Sequence, residues 1–248
     1  GPPLSAPSIP PARPLEVDME AALASPVITA LTPMQRSRLL DRGIKRRFVP
    51  GDVLHLSGDS RPRLHLVTTG VFKLSARDGE GRETIVGLAI SGDLIGEVAV
   101  VDDLGQPADA IAVTRAEALA LDAACLLTML EENARAALAL SRGMAKQMRW
   151  LYATTLERTS SEVPARLAGR LLDLGDLLGR IQQGALEIDL PVAQGDLGRL
   201  AGISRESTCK ALRSFKSQGL LDYRGRRLRI LRPDALERIR CAGRATTK

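Results

Sequence analysis

The chain has 248 residues, a formal net charge of +6, 44% hydrophobic and 26% charged residues, a globular balance that suits one large or two modest domains at roughly 100 to 200 residues each. The aromatic residues are Phe48, Phe72, Phe215, Trp150, Tyr152 and Tyr223, so the core is expected to be aliphatic. No apolar run approaches the roughly 18 residues that cross a bilayer, so no membrane partner is expected, and the scattered Cys125, Cys209 and Cys241 supply neither a disulfide framework nor a CxxC metal pair. These features predict a soluble chain in a reducing cytoplasm.

Residues 1–14 are rich in proline and poor in large apolar side chains, without the apolar stretch of a secretion signal, and read as a disordered arm. Thr32-Pro33 then offers an N-cap followed by proline at the first helical position, opening a short helix with Leu39 and Leu40. Between Phe48 and Leu121 short β-rich runs (53–56, 64–68, 71–74, 84–89, 111–113 and 118–121) alternate with Gly, Asp and Pro turns. Strands spaced this way predict a small sandwich, barrel or roll.

After Asp122 the β texture stops. Alanine, leucine and methionine run to Glu157 without proline, predicting one long helix. Heptads along it place Ala137, Met144 and Leu151 on one line and Ser141, Met148 and Thr155 on the next. Such a stripe packs either against its own domain or against a second copy, with Ala137, Met144, Met148 and Leu151 as the candidate dimer seam. A further helix is expected over 160–178, carrying Val163, Leu167, Leu171, Leu174 and Leu178, and Gln182-Gln183-Gly184 ends the pattern.

Charge concentrates beyond this point. Residues 190–248 hold 14 Lys and Arg against 5 Asp and Glu, a balance of +9, while residues 1–189 carry −3. A folded basic segment points to a polyanion partner, above all double-stranded DNA. Leu197, Leu200 and Ala201 make a short apolar face, Gly202 interrupts, Ser204 stands as N-cap, and a second helix turns Ala211, Leu212 and Phe215 inward. Arg205, Glu206 and Lys210 share the opposite face near that helix's N-terminus, the end a recognition helix inserts into the major groove. Arg donates two hydrogen bonds to guanine, Glu accepts from cytosine, and Lys donates to guanine or phosphate. Leu220 to Tyr223 and Arg226 to Leu231 flank Arg224-Gly225 as a hairpin with arginines at its tip. Ser204, Ser207, Gln194, Arg226 and Arg227 are the candidate DNA-backbone contacts.

The run Leu197-Gly198-Arg199-Leu200-Ala201-Gly202-Ile203-Ser204-Arg205-Glu206-Ser207, with Gly92-Asp93-Leu94-Ile95-Gly96-Glu97 and Pro50-Gly51-Asp52, resembles the cyclic-AMP receptor protein (CRP/FNR) family of bacterial transcription regulators over about residues 20–240. The resemblance implies an α+β chain. Its expected parts are a disordered arm (1–14), a β-roll of cyclic-nucleotide-binding type (15–125), a long dimerisation helix (126–158) and a winged helix-turn-helix DNA-binding domain (159–248). It also implies a homodimer and names RNA polymerase as a candidate partner.

In cyclic-AMP-binding members the Gly-Glu pair is followed by Arg-Ser, which holds the cyclic phosphate. Here Gly96 and Glu97 are present, but Ala108 and Asp109 stand at the Arg-Ser positions, and an alanine and an aspartate offer a buried phosphate no cation. Leu151 and Tyr152 replace the small hydroxyl side chains expected beside the adenine, so the nucleotide pocket reads as degenerate. His55 and His65 lack a second axial partner for haem, and three cysteines are too few for a four-cysteine cluster, so no cofactor is expected. No metal-ligand spacing, phosphate-binding glycine loop or nucleophile motif is present for an enzyme. The expectation is a sequence-specific DNA-binding regulator on a two-fold symmetric operator, working without cyclic AMP. The alternatives are a nucleotide-sensing regulator with another effector and a nucleotide-binding regulatory adaptor.

Overall fold

The computed structural model describes residues 20, 23–60, 63–160, 162–189, 194–225 and 227–245. The expected arm over 1–14, Arg226 and the Gln194 side chain lie outside what it describes. Two short helices come first, α1 (Pro26–Ala30) and α2 (Pro33–Leu40), each with proline in its first turn, where the missing N–H costs no helical bond. Thr32 closes a capping box on α2: its Oγ1 accepts the Gln35 N–H at 3.2 Å, and Gln35 Oε1 accepts the Thr32 N–H at 3.1 Å.

Strands β1 (Ile44–Phe48), β2 (Val53–His55), β3 (Leu64–Thr69), β4 (Phe72–Arg77), β5 (Glu83–Ala89), β6 (Leu94–Ile95), β7 (Asp109–Ala112) and β8 (Ala116–Leu121) form two antiparallel sheets of order β1-β8-β3-β6 and β2-β7-β4-β5. The sheets close over Leu54, Val67, Phe72, Ile95, Ala110 and Ala118. Alanines let the two layers approach closely, and Phe48 meets Phe72 edge to face at 5.2 Å between ring centroids. Each β-rich run of the sequence forms a strand; β1 and the two-residue β6 are not among those runs. Its exposed Lys45 and Arg47 reach Glu117 of β8 at 2.8 and 3.1 Å, the dress of an edge strand.

A short helix α3 (Glu97–Asp102) follows β6, and α4 (Ala123–Glu132) and α5 (Ala134–Ser160) follow β8. The expected single helix is thus broken at Asn133, whose φ of −127° and ψ of 91° are extended. Its Oδ1 accepts the Ala136 N–H at 3.2 Å, and its Nδ2 donates to Ala30 O at 3.1 Å and Gln35 Oε1 at 2.9 Å. Asparagine caps α5 and ties it to α1 and α2, and Ile28, Leu39, Leu66, Leu126 and Leu140 fill the space between these helices and the roll.

The C-terminal domain comprises α6 (Val163–Leu178), β9 (Arg180–Gln182), β10 (Ala185–Asp189), α7 (Gln194–Ala201), α8 (Arg205–Ser217), β11 (Leu221–Arg224), β12 (Arg227–Ile230) and α9 (Pro233–Ala245). The expected hairpin β11–β12 extends through β10 to β9 in a four-stranded sheet. Leu167, Leu171, Leu197, Leu212, Phe215 and Ile230 form its core, which also takes in Ile85 from β5 of the roll. Around this shared apolar contact, Lys73 of β4 and Glu83 of β5 lie 2.9 Å apart, Lys73 reaches Asp196 of α7 at 3.4 Å, and Arg199 reaches Glu83 at 3.2 Å and Asp196 at 2.8 Å. Glu157 of α5 also pairs with buried Arg170 of α6 and with Arg240 of α9.

Candidate nucleic-acid interface

Helix α8 starts where Ser204 dictates. With φ −66° and ψ 157° Ser204 is extended, and its Oγ accepts the Ser207 N–H at 3.1 Å, satisfying a donor with no intrahelical partner. The Ser204 and Ser207 hydroxyls also meet at 3.0 Å, so both candidate backbone-contact serines are engaged in shaping the cap. Thr208 is fully buried and donates to the Ser204 carbonyl at 2.8 Å. Helix α7 is held against this turn by Gly198, where a Cβ would lie 2.8 Å from Thr208 Oγ1 and 2.9 Å from the Ile203 carbonyl oxygen. Only glycine permits that approach.

Thr208, Ala211, Leu212 and Phe215 turn inward from α8, and Arg205, Glu206 and Lys210 are exposed together on its other face. Arg213 is exposed one turn beyond Lys210 and adds a cation that sequence reasoning passed over; its spacing of three from Lys210 was the available signal. Lys216, by contrast, pairs with Asp222 at 2.8 Å and sits 4.9 Å from the Tyr223 ring centroid, fastening α8 to the wing. In the wing, Arg224 and Arg227 face each other across the hairpin end and are exposed, whereas Arg229 is held by Glu187 at 3.0 Å. The surface therefore pairs an exposed Arg-Glu-Lys helix face with a cationic hairpin tip.

The second predicted site is the nucleotide pocket. Gly96 caps α3 with φ 96°, and a side chain there would collide with the Arg63 carbonyl. Burial pushes the Glu97 carboxyl above its ordinary range, against the opposing pull of backbone hydrogen bonds at Glu97 and Gly96. Ala108 is buried, and Asp109 opens β7 with Oδ1 accepting the Ser57 N–H at 2.8 Å and Oδ2 3.7 Å from Arg77 Nε. A fixed carboxylate therefore stands where the resemblance places phosphate contacts. Leu151 is half-buried, but Tyr152 is 67% exposed.

Along the helix stripe, Met144 packs against the protomer's own core, Ala137 and Leu151 are half-buried, and Met148 is exposed together with Ser141 and Thr155 of its heptad line. Leu138, Tyr152 and Leu156 are further exposed apolar residues of α5.

His55 and His65 are buried, with no hydrogen-bond partner on either Nδ1. Burial lowers both, His65 to about 4, so they are neutral at pH 7. Among the described residues no group of three or more His, Cys, Asp and Glu is placed to hold a metal ion, and no helix is long and apolar enough to cross a membrane.

Two family models match the chain: the cyclic nucleotide-binding domain over residues 45–133 and the Crp-like helix-turn-helix domain over residues 165–239. The CRP-like cAMP-activated global transcriptional regulator of Mycobacterium tuberculosis is 26% identical over 191 residues, 77% of this chain and 85% of that one. Transcriptional regulator LdrP of Thermus thermophilus is 28% identical over 195 residues, 78% of this chain and 95% of its own. The solved structure of FixK2 from Bradyrhizobium japonicum superposes with a TM-score of 0.70 at 20% identity, covering 79% of this chain and 96% of that one. With both domains matched in this order, the chain belongs to the CRP/FNR family of transcription regulators with a helix-turn-helix DNA-binding domain.

Proposed function

We propose that the chain acts as a homodimer that reads a two-fold symmetric operator beside RNA polymerase, by binding rather than catalysis, and without needing cyclic AMP. The observation that carries this reading is the exposed face of α8, where Arg205, Glu206 and Lys210 project together from a capped N-terminus. A glutamate there favours base discrimination over general phosphate attraction, because carboxylates accept from cytosine and repel phosphate. Wing cations Arg224 and Arg227 supply the sequence-independent grip.

Independence from cyclic AMP is supported by Asp109, whose carboxylate is already bound to the Ser57 N–H and lies beside Arg77. A cyclic phosphate next to it meets a like charge. The Mycobacterium relative carries "cAMP-activated" in its name; the side chains at Ala108 and Asp109 favour a different control here. Association of two copies is supported by Leu138, Met148, Tyr152 and Leu156, apolar and exposed along α5.

Titrating the purified chain onto genomic fragments and onto a random duplex, with and without cyclic AMP, tests the reading. The expected result is the same sequence preference in both series. A preference that emerges only with cyclic AMP overturns the ligand half, and equal affinity for every duplex overturns the base-reading half.

A further inference from the structure

Helices α5 and α6 are joined by residues 161 and 162 alone, and the chain there leaves the angle between them open. Glu162 is extended, with φ −66° and ψ 158°, and its side chain caps no N–H of α6. Pro164, in the first turn of α6, has no N–H to carry the hydrogen-bond pattern of α5 onward. The angle is therefore set by contacts made further along the two helices.

Those contacts gather at Arg240 of α9. The helix belongs to the C-terminal domain, in whose core Leu236 is fully buried, yet Arg240, one turn on, reaches α5 as well. Its Nε lies 3.5 Å from Glu157 Oε1 of α5 and its Nη1 3.5 Å from Asp173 Oδ1 of α6. Arg170 completes the group, paired with Glu157 and, at 2.9 Å, with Asp173. Trp150 of α5 joins it: Nε1 donates to Asp173 at 3.3 Å, and the Arg170 guanidinium lies 5.4 Å from the ring centroid. Burial pushes the Asp173 carboxyl up, and Arg170 and Arg240 pull it back. Helix α6 makes room for the crossing at Gly169, a buried mid-helix glycine whose added Cβ would lie 3.3 Å from Arg240 Nε. Glycine is disfavoured in mid-helix, and here the space it leaves is filled by Arg240.

We propose that Arg240 is a positioning residue for DNA reading: by spanning Glu157 and Asp173 it clasps α9 and α6 to α5, fixes the angle of the C-terminal domain, and so sets the separation of the two α8 helices of a dimer without a bound effector. Arg240 lies one residue past the stretch matched to the Crp-like helix-turn-helix domain, 165–239, and Glu157 lies before it. Without Arg240 the buried Glu157 and Asp173 share Arg170 alone, and α9 no longer bridges the joint. The separation of the α8 helices rests on the homodimer and operator proposed above; the clasp itself does not.

The test compares the full chain with Arg240→Met, which keeps the apolar reach of the side chain and removes its charge. Without DNA, hydrogen exchange should run about tenfold faster at the end of α5, around Thr154 and Glu157, the factor of one charged hydrogen bond, while β3 and β8 stay protected. With DNA, the probes are the operator selected by the parent and versions with the half-sites moved apart or together by one or two base pairs. Arg240→Met should bind the parent spacing and random duplex as the parent does, and the shifted spacings about tenfold more tightly, because a looser joint lowers the cost of reorienting α8. A residue that only stabilised its own domain would weaken every duplex alike. Gly169→Ala, which favours the helix and crowds Arg240, should move both readings in the same direction and decides the matter if Arg240→Met does not fold. Unchanged exchange at the end of α5, or shifted duplexes bound no better than by the parent, would overturn the clasp. If the parent selects no pair of half-sites, the operator reading fails instead, and the exchange at the end of α5 still decides the clasp.

Discussion

Replacing Glu83 by glutamine should loosen the C-terminal domain from the roll. Glu83 and Lys73 are 10% and 15% exposed, and Glu83 takes one partner from each side of the domain boundary, Lys73 at 2.9 Å and Arg199 at 3.2 Å. Glutamine preserves shape and removes the charge. Two cations are left sharing Asp196, which holds Lys73 at 3.4 Å and Arg199 at 2.8 Å. Stranding a buried charge completely costs about 3 to 5 kcal/mol. Because Asp196 still serves both cations, the lower range of about 1.5 to 3 kcal/mol for a charged hydrogen bond applies, a shift of roughly 10- to 150-fold in the docking equilibrium. Hydrogen exchange is the assay: amides of α7 and β5 should exchange faster by that factor while those of β3 and β8 stay protected. Lys73→Met should produce the same opening, and the two changes together should fall short of their sum. Unchanged exchange in α7, or strictly additive effects, would refute the reasoning. Although burial pushes the Glu83 carboxyl upward, Lys73, Ser75 and Arg199 outweigh it and hold it below its ordinary value of 4.5. A depressed folded value means the contribution is present at neutral pH and is lost as pH falls through the lowered value, so acid should open the same contact.

Arg205→Ala should cost about 1 to 3 kcal/mol on the best operator and little on random duplex, whereas Arg227→Ala should weaken both and reduce the log-log salt slope by about one unit; binding titrations at several salt concentrations distinguish them. His65 is held neutral by burial at about 4 against 6.5, so the unfolded chain takes up the proton first and up to about 3 kcal/mol of stability disappears as pH falls from 6.5 toward 4. Denaturant melts of His65→Gln across that window should show a flatter pH dependence than the parent. Met148→Glu and Tyr152→Glu should yield folded monomers by sedimentation equilibrium, whereas Met144→Glu should instead lower the melting temperature, because Met144 packs inside its own protomer.

The parts of this architecture legible in the sequence are those written in local chemistry. Ser204 could be placed as a cap because its hydroxyl answers a donor three residues away, and the glycine turn, inward Leu212 and Phe215, and arginine-tipped hairpin agree with it. Strand β1 was hidden because Lys45, Arg46 and Arg47 read as solvated chain, and the reason they form a strand, Glu117 opposite, lies about seventy residues away. The hairpin β9–β10 was reduced to its turn because β9 is three exposed residues long. Asn133 broke the long helix through partners on α1 and α2, which no periodicity carries.

The central claim is base reading by a symmetric pair of α8 helices without a nucleotide effector. Selection of bound duplexes from a random pool by the purified chain, with no ligand added, tests it most directly. The account predicts one enriched motif made of two inverted half-sites, centred about 10 to 10.5 base pairs or one helical turn apart, with the same motif and affinity when cyclic AMP is present. A pool that shows no enriched motif, or one that enriches an inverted repeat only with cyclic AMP, would contradict it.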